Sequence, residues 1–155
     1  MLMNLVLGML TMCLGLVLQA ILLAAAMRYY ARRDDLLNSP EFASSLLVII
    51  GVMTLLLFGN FSQIAIWAAL FVWLGEFPTF AGAFYHSAVN FATLGYGDIV
   101  MSEAHKLLGP LQAINGVLMI GVSTAALMSA FQDAMRKTMQ VRRGAHEPAR
   151  QRNDG

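Results

Sequence analysis

Thr93-Leu94-Gly95-Tyr96-Gly97-Asp98 is the stretch on which the fold turns. Two glycines two residues apart accept backbone angles that strain other residues, so the carbonyls around them can line up on one side. The product is a ladder of oxygens. Such a ladder can replace the water shell of a dehydrated monovalent cation when it lies among membrane spans.

The flanking residues place it at that depth. Glu76-Phe77-Pro78 ends an apolar run, and Thr79 is set to cap a helix from Phe80 to about Ala92. That helix is too short to cross about 30 Å of hydrocarbon. The glycine-rich peptide behind it must be non-helical, which a membrane tolerates only where protein or a water-filled cavity covers the backbone. The pair reads as a re-entrant pore loop. Asp98 to Lys106 is a polar link, and Gly109-Pro110 opens a last span.

Composition agrees. The 155 residues are 58% hydrophobic and 12% charged, with a mean hydropathy of +0.64, which excludes a water-soluble domain of ordinary charge content. A net charge of +1 gives no basic field for nucleic acid. Cys13 cannot pair within the chain and reads as a packing residue. His86, His105 and His146 lack ligand spacing, so no structural metal or cofactor is expected. No nucleophile, base and orienting group come together, so the chain does not read as an enzyme.

Four segments follow from the pattern. Residues 1–28 are a first transmembrane helix, interrupted only by Asn4, Thr11 and Gln19. Arg28, Arg32 and Arg33 follow the apolar run instead of preceding it, so it reads as a retained span and not a cleaved signal. Residues 29–43 are a cytoplasmic linker by the positive-inside rule, with Ser39-Pro40-Glu41 as a helix start. Residues 44–130 are a pore domain: outer helix 44–74, pore helix 79–92, filter 93–98 and inner helix 107–130. Residues 131–155 are a tail carrying Arg136, Lys137, Arg142, Arg143, Arg150 and Arg152. Breaking the outer helix at Gly59-Asn60-Phe61-Ser62-Gln63 would leave halves too short to span and put that basic tail outside, so one long helix is expected. Asn60, Ser62 and Gln63 read as interhelical hydrogen-bonding residues, with a gating or ligand role as the alternative. Trp67 and Trp73 read as an outer interfacial belt.

The hexapeptide, the helix before it and the span after it resemble the potassium-channel signature T-V-G-Y-G-D, with Leu94 where valine is commoner. The resemblance covers Ile64 to Arg136. It implies an all-α membrane protein with three transmembrane helices, one re-entrant pore helix and selectivity-filter loop, and a four-fold tetrameric pore passing K⁺ passively. Thr93, Leu94, Gly95, Tyr96 and Gly97 would form the filter. K⁺ would lie on the carbonyls of Thr93 to Tyr96, and the Thr93 hydroxyl would add an innermost ring. Tyr96 would act as a spacer setting the filter's diameter, and Asp98 would concentrate cations at the outer mouth. One chain supplies one strand of carbonyls, so four chains must meet on an axis, giving a homotetramer. The expected setting is a prokaryotic plasma membrane, with the N-terminus outside and the C-terminus cytoplasmic. Counting crossings from the Arg28 cluster gives the same orientation.

Departures from the family pattern mark further positions. Ala92 replaces the first of two threonines and removes a hydroxyl that braces the pore helix. Tyr85 and His86 stand where many members have a tryptophan pair. Tyr85 is expected to pair with Asp98. His86 is expected either to bond the Tyr96 hydroxyl across a subunit interface, which would make the filter pH-sensitive, or to be a buried neutral packing residue. Val89 occupies a position where many bacterial members have glutamate. Gly116 and Gly121 are both candidates for a gating hinge and for close helix packing. Asn115 either braces the pore helix or faces the cavity, and Ser123, Thr124 and Ser129 give the last span a weakly polar face.

No helix carries Arg or Lys at every third position, so no voltage sensor of the usual kind is expected. The tail reads as a fraying helix with a disordered end, or as a polybasic segment binding anionic membrane lipid. The first helix is expected to pack on the rim of the pore. The alternatives to a potassium-selective channel are a weakly selective cation channel and a non-conducting regulatory or structural subunit.

Overall fold

A computed structural model describes residues 1–33 and 42–151, with side chains for 1–33 and 43–140. The described residues fold entirely as helix and connecting turns. Helix α1 spans Leu2–Ala31, α2 Phe42–Trp73, α3 Phe80–Phe91 and α4 Leu108–Gln151. At 1.5 Å rise per residue, the 30, 32 and 44 residues of α1, α2 and α4 each exceed the roughly 30 Å of a bilayer core. Those three are long and apolar enough to cross a membrane. The 12 residues of α3 reach only about 18 Å.

Helix α2 runs unbroken through Gly59 to Gln63. Its lone serine there, Ser62, returns its hydroxyl to the Phe58 carbonyl at 2.8 Å, a local bond that leaves the helix intact. Residues 34–41, including the Ser39-Pro40-Glu41 start expected from the sequence, lie outside the described residues.

Helices α1 and α4 are parallel neighbours. The Asn4 side chain donates to the Ala104 carbonyl just ahead of α4, Gln19 meets Ser123, and Tyr30 meets Asp133, at sequence separations of 100, 104 and 103. A near-constant separation means one register kept along the whole pair. Helix α2 runs antiparallel to both: Ser45 meets Thr138 at one end, and Gln63 meets Asn115 further along. The first helix is therefore fixed by polar contacts at three depths, which is more than rim packing.

Apolar packing closes three zones. Ala26, Tyr30, Val48, Val52, Ala130 and Ala134 are buried together at the α1 C-terminal end. Trp67, Phe71, Phe77, Ala83 and Leu108 are buried around α3. Ile64, Phe91 and Met119 lie between them. Two expectations are corrected here. Trp67 is 1% exposed, because it faces the Phe71 ring at 5.9 Å and not the membrane surface, whereas Trp73, six residues on and on another face, is 74% exposed. The inner helix does not stop near residue 130: Ala130, Ala134 and Thr138 pack inward, and the helix continues to Gln151. The side chains of Arg142, Arg143, Arg150 and Arg152 lie outside the described residues.

Candidate functional site

Helix α3 positions the Thr93–Asp98 segment. Thr79 caps it, its hydroxyl oxygen accepting from the Gly82 amide at 3.3 Å. At the other end the chain leaves the helix in two short steps. The Thr93 amide donates to the Asn90 carbonyl and the Leu94 amide to the Val89 carbonyl, both at 2.9 Å. Val89, 7% exposed, thus ties the segment to the helix through its backbone while its side chain packs inward.

From Thr93 onward the backbone alternates. Thr93, Gly95 and Gly97 have φ of 57°, 58° and 71°. The glycines take this region freely, whereas at Thr93 it costs of order 1 kcal/mol, a strain held by the two bonds just described. Among the described residues, no hydrogen bond within the chain reaches the carbonyls of Thr93 to Gly97. The whole stretch from Ala92 to Val100 is exposed, with Leu94 at 53% and Tyr96 at 65%. A cleft of about 370 Å³ lies beside it, lined by His86, Asn90, Thr93, Gly95, Val100 and Pro110 among others.

The segment's far end is fixed by Asp98. The Tyr85 hydroxyl donates to its carboxylate at 2.7 Å, the pairing expected from the sequence. That bond holds the Asp98 carboxyl below its ordinary value of 3.8, helped by the Ile99 amide.

His86 does not meet Tyr96 within the chain. Its ring is 7% exposed, packed against Phe71 and Phe77 at 5.7 and 5.0 Å. Its Nδ1 lies 3.0 Å from the Ile99 carbonyl and its Nε2 lies 2.9 Å from the Asn90 amide nitrogen. A carbonyl needs a donor and an amide nitrogen needs an acceptor, so the neutral tautomer with the proton on Nδ1 satisfies both. No ring nitrogen is left to reach a neighbouring chain, so this is the buried neutral reading.

Several supports were not singled out from sequence. Gln112 donates to the Ser87 carbonyl at 3.1 Å and to the Ser87 hydroxyl, which itself donates to the Ile64 carbonyl at 2.7 Å. These bonds tie α3 to α4 and α2. Their signal was available: Gln112 with Asn115, and Ser87 with Asn90, are polar pairs three apart in apolar helices. Asn115 is fully buried and donates to Gln63 at 3.1 Å, so it does not face a cavity. On the link, Glu76 accepts from the Ser102 amide and hydroxyl at 2.7 and 2.6 Å and from His105 at 2.5 Å.

The two hinge candidates differ. A methyl group on Gly116 would lie 2.1 Å from the Phe91 carbonyl oxygen, whereas one on Gly121 would meet nothing within 4 Å. Gly116 lets α4 touch the end of α3. Gly121 stands in open space.

Residues 61–133 match the model of a family described as "Ion channel". A 57-residue stretch, 36% of the chain, is 39% identical to "Potassium voltage-gated channel subfamily A member 2" of Xenopus laevis, Mus musculus and Oryctolagus cuniculus. It spans only 11% of each of those relatives. No solved structure matches the chain. Both kinds of likeness are to channels, and neither is to an enzyme.

Proposed function

We propose, given that residues 61–133 belong to an ion-channel family, that the chain is the subunit of a homotetrameric potassium-selective channel. One observation carries this reading. Among the described residues, the carbonyls of Thr93 to Gly97, with positive φ at every second residue, have no partner in their own chain. Unpartnered backbone at membrane depth costs several kcal/mol per group, so the segment needs other copies around it and an ion or water in front of it. Four copies about one axis supply both, with the carbonyls of Thr93, Leu94, Gly95 and Tyr96 replacing the K⁺ hydration shell. The exposed Leu94 and Tyr96 side chains become packing surface for neighbouring copies, and Gly97 lets the strand turn out of the pore.

The rest of the pore domain assists passively. The C-terminal end of α3 directs its negative dipole end at a cation waiting below the filter, an effect of order 1 kcal/mol. Asp98 adds negative charge at the outer mouth. The filter end faces outward and Arg28, Arg136 and Lys137 lie on the cytoplasmic side of a prokaryotic plasma membrane, in keeping with the positive-inside rule. Anionic lipid is the partner expected at the basic tail.

The test is flux from liposomes under a K⁺ gradient and then a matched Na⁺ gradient, with Gly95→Ala alongside. K⁺ flux that this variant abolishes and Na⁺ does not reproduce supports the assignment. Equal K⁺ and Na⁺ flux would make the pore weakly selective, the outcome that Ala92, lacking the usual hydroxyl, favours.

A further inference from the structure

Helix α1 lies outside the stretch that matches the channel family, yet its polar side chains reach the pore-lining helix of the reading above. The upper part of α4 is tied to α3: Gly116 abuts the Phe91 carbonyl, and Gln112 bonds Ser87. Below Gly121 those ties end. There Gln19 donates to the Ser123 hydroxyl at 2.9 Å and Tyr30 donates to Asp133 at 2.9 Å. Gln19 is 2% exposed and also accepts from Gln63 at 3.1 Å, so it links α1, α2 and α4 at one node. Lys137 stands over the Tyr30 ring at 5.5 Å and pairs with Asp133 at 3.5 Å, which surrounds the lower contact with charge.

We propose that α1 is a gating brace, holding the half of α4 below Gly121 through the Gln19–Ser123 and Tyr30–Asp133 hydrogen bonds. Lipid tails are as apolar as the helices, so in a membrane such polar contacts, more than apolar burial, decide which helices stay together. Gly121 has the open space for α4 to bend. A bend there displaces Ser123 and Asp133 relative to α1, so the bonds must break or α1 must travel too. Either way α1 sets how readily the inner end of the pore moves. The proposal rests on the channel reading.

The test uses the full chain with Tyr30→Phe, Ser123→Ala and both together, read in two ways. The first is K⁺ flux per reconstituted channel. Tyr30→Phe gives up the α1 bond to Asp133, and Ser123→Ala gives up the α1 bond to Gln19 together with the 3.3 Å donation to Asn60 on α2. Each lost α1 bond shifts the gate equilibrium by about three-fold per subunit, so flux rises in Tyr30→Phe alone and rises most in the double variant. The second is a spin-label distance between native Cys13, exposed on α1, and Met139→Cys, exposed on the lower part of α4, in labelled protein diluted with unlabelled. That distance is single in the parent and lengthens or broadens in the double variant. Unchanged distance, or a changed distance with flux unchanged or reduced, overturns the brace. Absence of K⁺ flux in the parent and in Gly95→Ala alike overturns the channel reading instead, and the distance alone then decides whether α1 holds α4.

Discussion

The Tyr85 hydroxyl lies 2.7 Å from the Asp98 carboxylate and joins α3 to the outward end of the Thr93–Asp98 segment. The bond lowers the Asp98 pKa and, as the first of its causes, raises that of Tyr85. The brace is therefore fully present above the ordinary Asp value of 3.8 and is lost as pH falls through the lower value of the folded state; on the alkaline side it is lost as pH rises past 10. Tyr85→Phe should shorten the time over which K⁺ flux is sustained at pH 7. It should also remove the fall in sustained flux expected of the parent as pH drops below 3.8 through the lowered Asp98 value. Flux time courses at pH 7 and 3.5 check both, and a variant indistinguishable from the parent at pH 7 would show that the bond does not hold the filter.

Gly116 and Gly121 separate close packing from bending. Alanine at Gly116 would drive its methyl group into the Phe91 carbonyl, a backbone atom that cannot turn aside. Gly116→Ala should lower stability by about 1–3 kcal/mol. Gly121→Ala meets no neighbour, so the fold should keep its melting temperature while any change appears in flux. Thermal unfolding of both variants in one detergent compares them, and equal melting temperatures would contradict the assignment of Gly116 to packing.

The hexapeptide, the short helix ahead of it and the three long apolar helices were legible because each rests on local rules: glycine spacing, span length and charge flanks. Tyr85 could be paired with Asp98 through the resemblance, since it stands where many members of the potassium-channel family have a tryptophan and its ring also carries a donor at the tip. What escaped was set by facing. Trp67 and Trp73 look alike in sequence, but the faces they occupy on α2 send one into the core and the other outward. For His86 a bond to Tyr96 and a buried neutral ring both stay open from sequence, because the Ile99 carbonyl, thirteen residues away and brought back by the turn after Asp98, leaves no local signal. The α1–α4 bonds join residues more than 100 positions apart, beyond any periodicity argument.

Because both His86 nitrogens are satisfied within the chain, Tyr96 has no part in its titration. Tyr96→Phe should leave the pH profile of flux between pH 5.5 and 8, about the range in which an ordinary histidine titrates, as it is in the parent. His86→Phe should do something different, leaving the Ile99 carbonyl without its donor and the Asn90 amide with only its longer 3.5 Å bond to Gln112, and lowering stability by about 1–3 kcal/mol. A pH profile that Tyr96→Phe flattens would restore the bond across subunits that the geometry here replaces.

Glu76 fastens the link between α3 and α4 to the end of α2. Its carboxylate side chain is only 6% exposed, and burial alone would raise its pKa, but the Ser102 hydroxyl, His105 and the Ser102 amide outweigh that and bring it below the ordinary 4.5. A carboxyl lowered on folding contributes stability above its unfolded pKa and loses it as pH falls through the folded value. The melting temperature of the parent should thus hold from pH 7 to about 5 and drop below about pH 4.5. Glu76→Gln keeps an acceptor oxygen but loses the charge, so it should melt lower than the parent at pH 7 and approach it as the pH falls. Melting curves that fall in parallel for the two proteins would mean that another carboxylate carries the acid sensitivity and that the Glu76–Ser102–His105 cluster does not fasten the link.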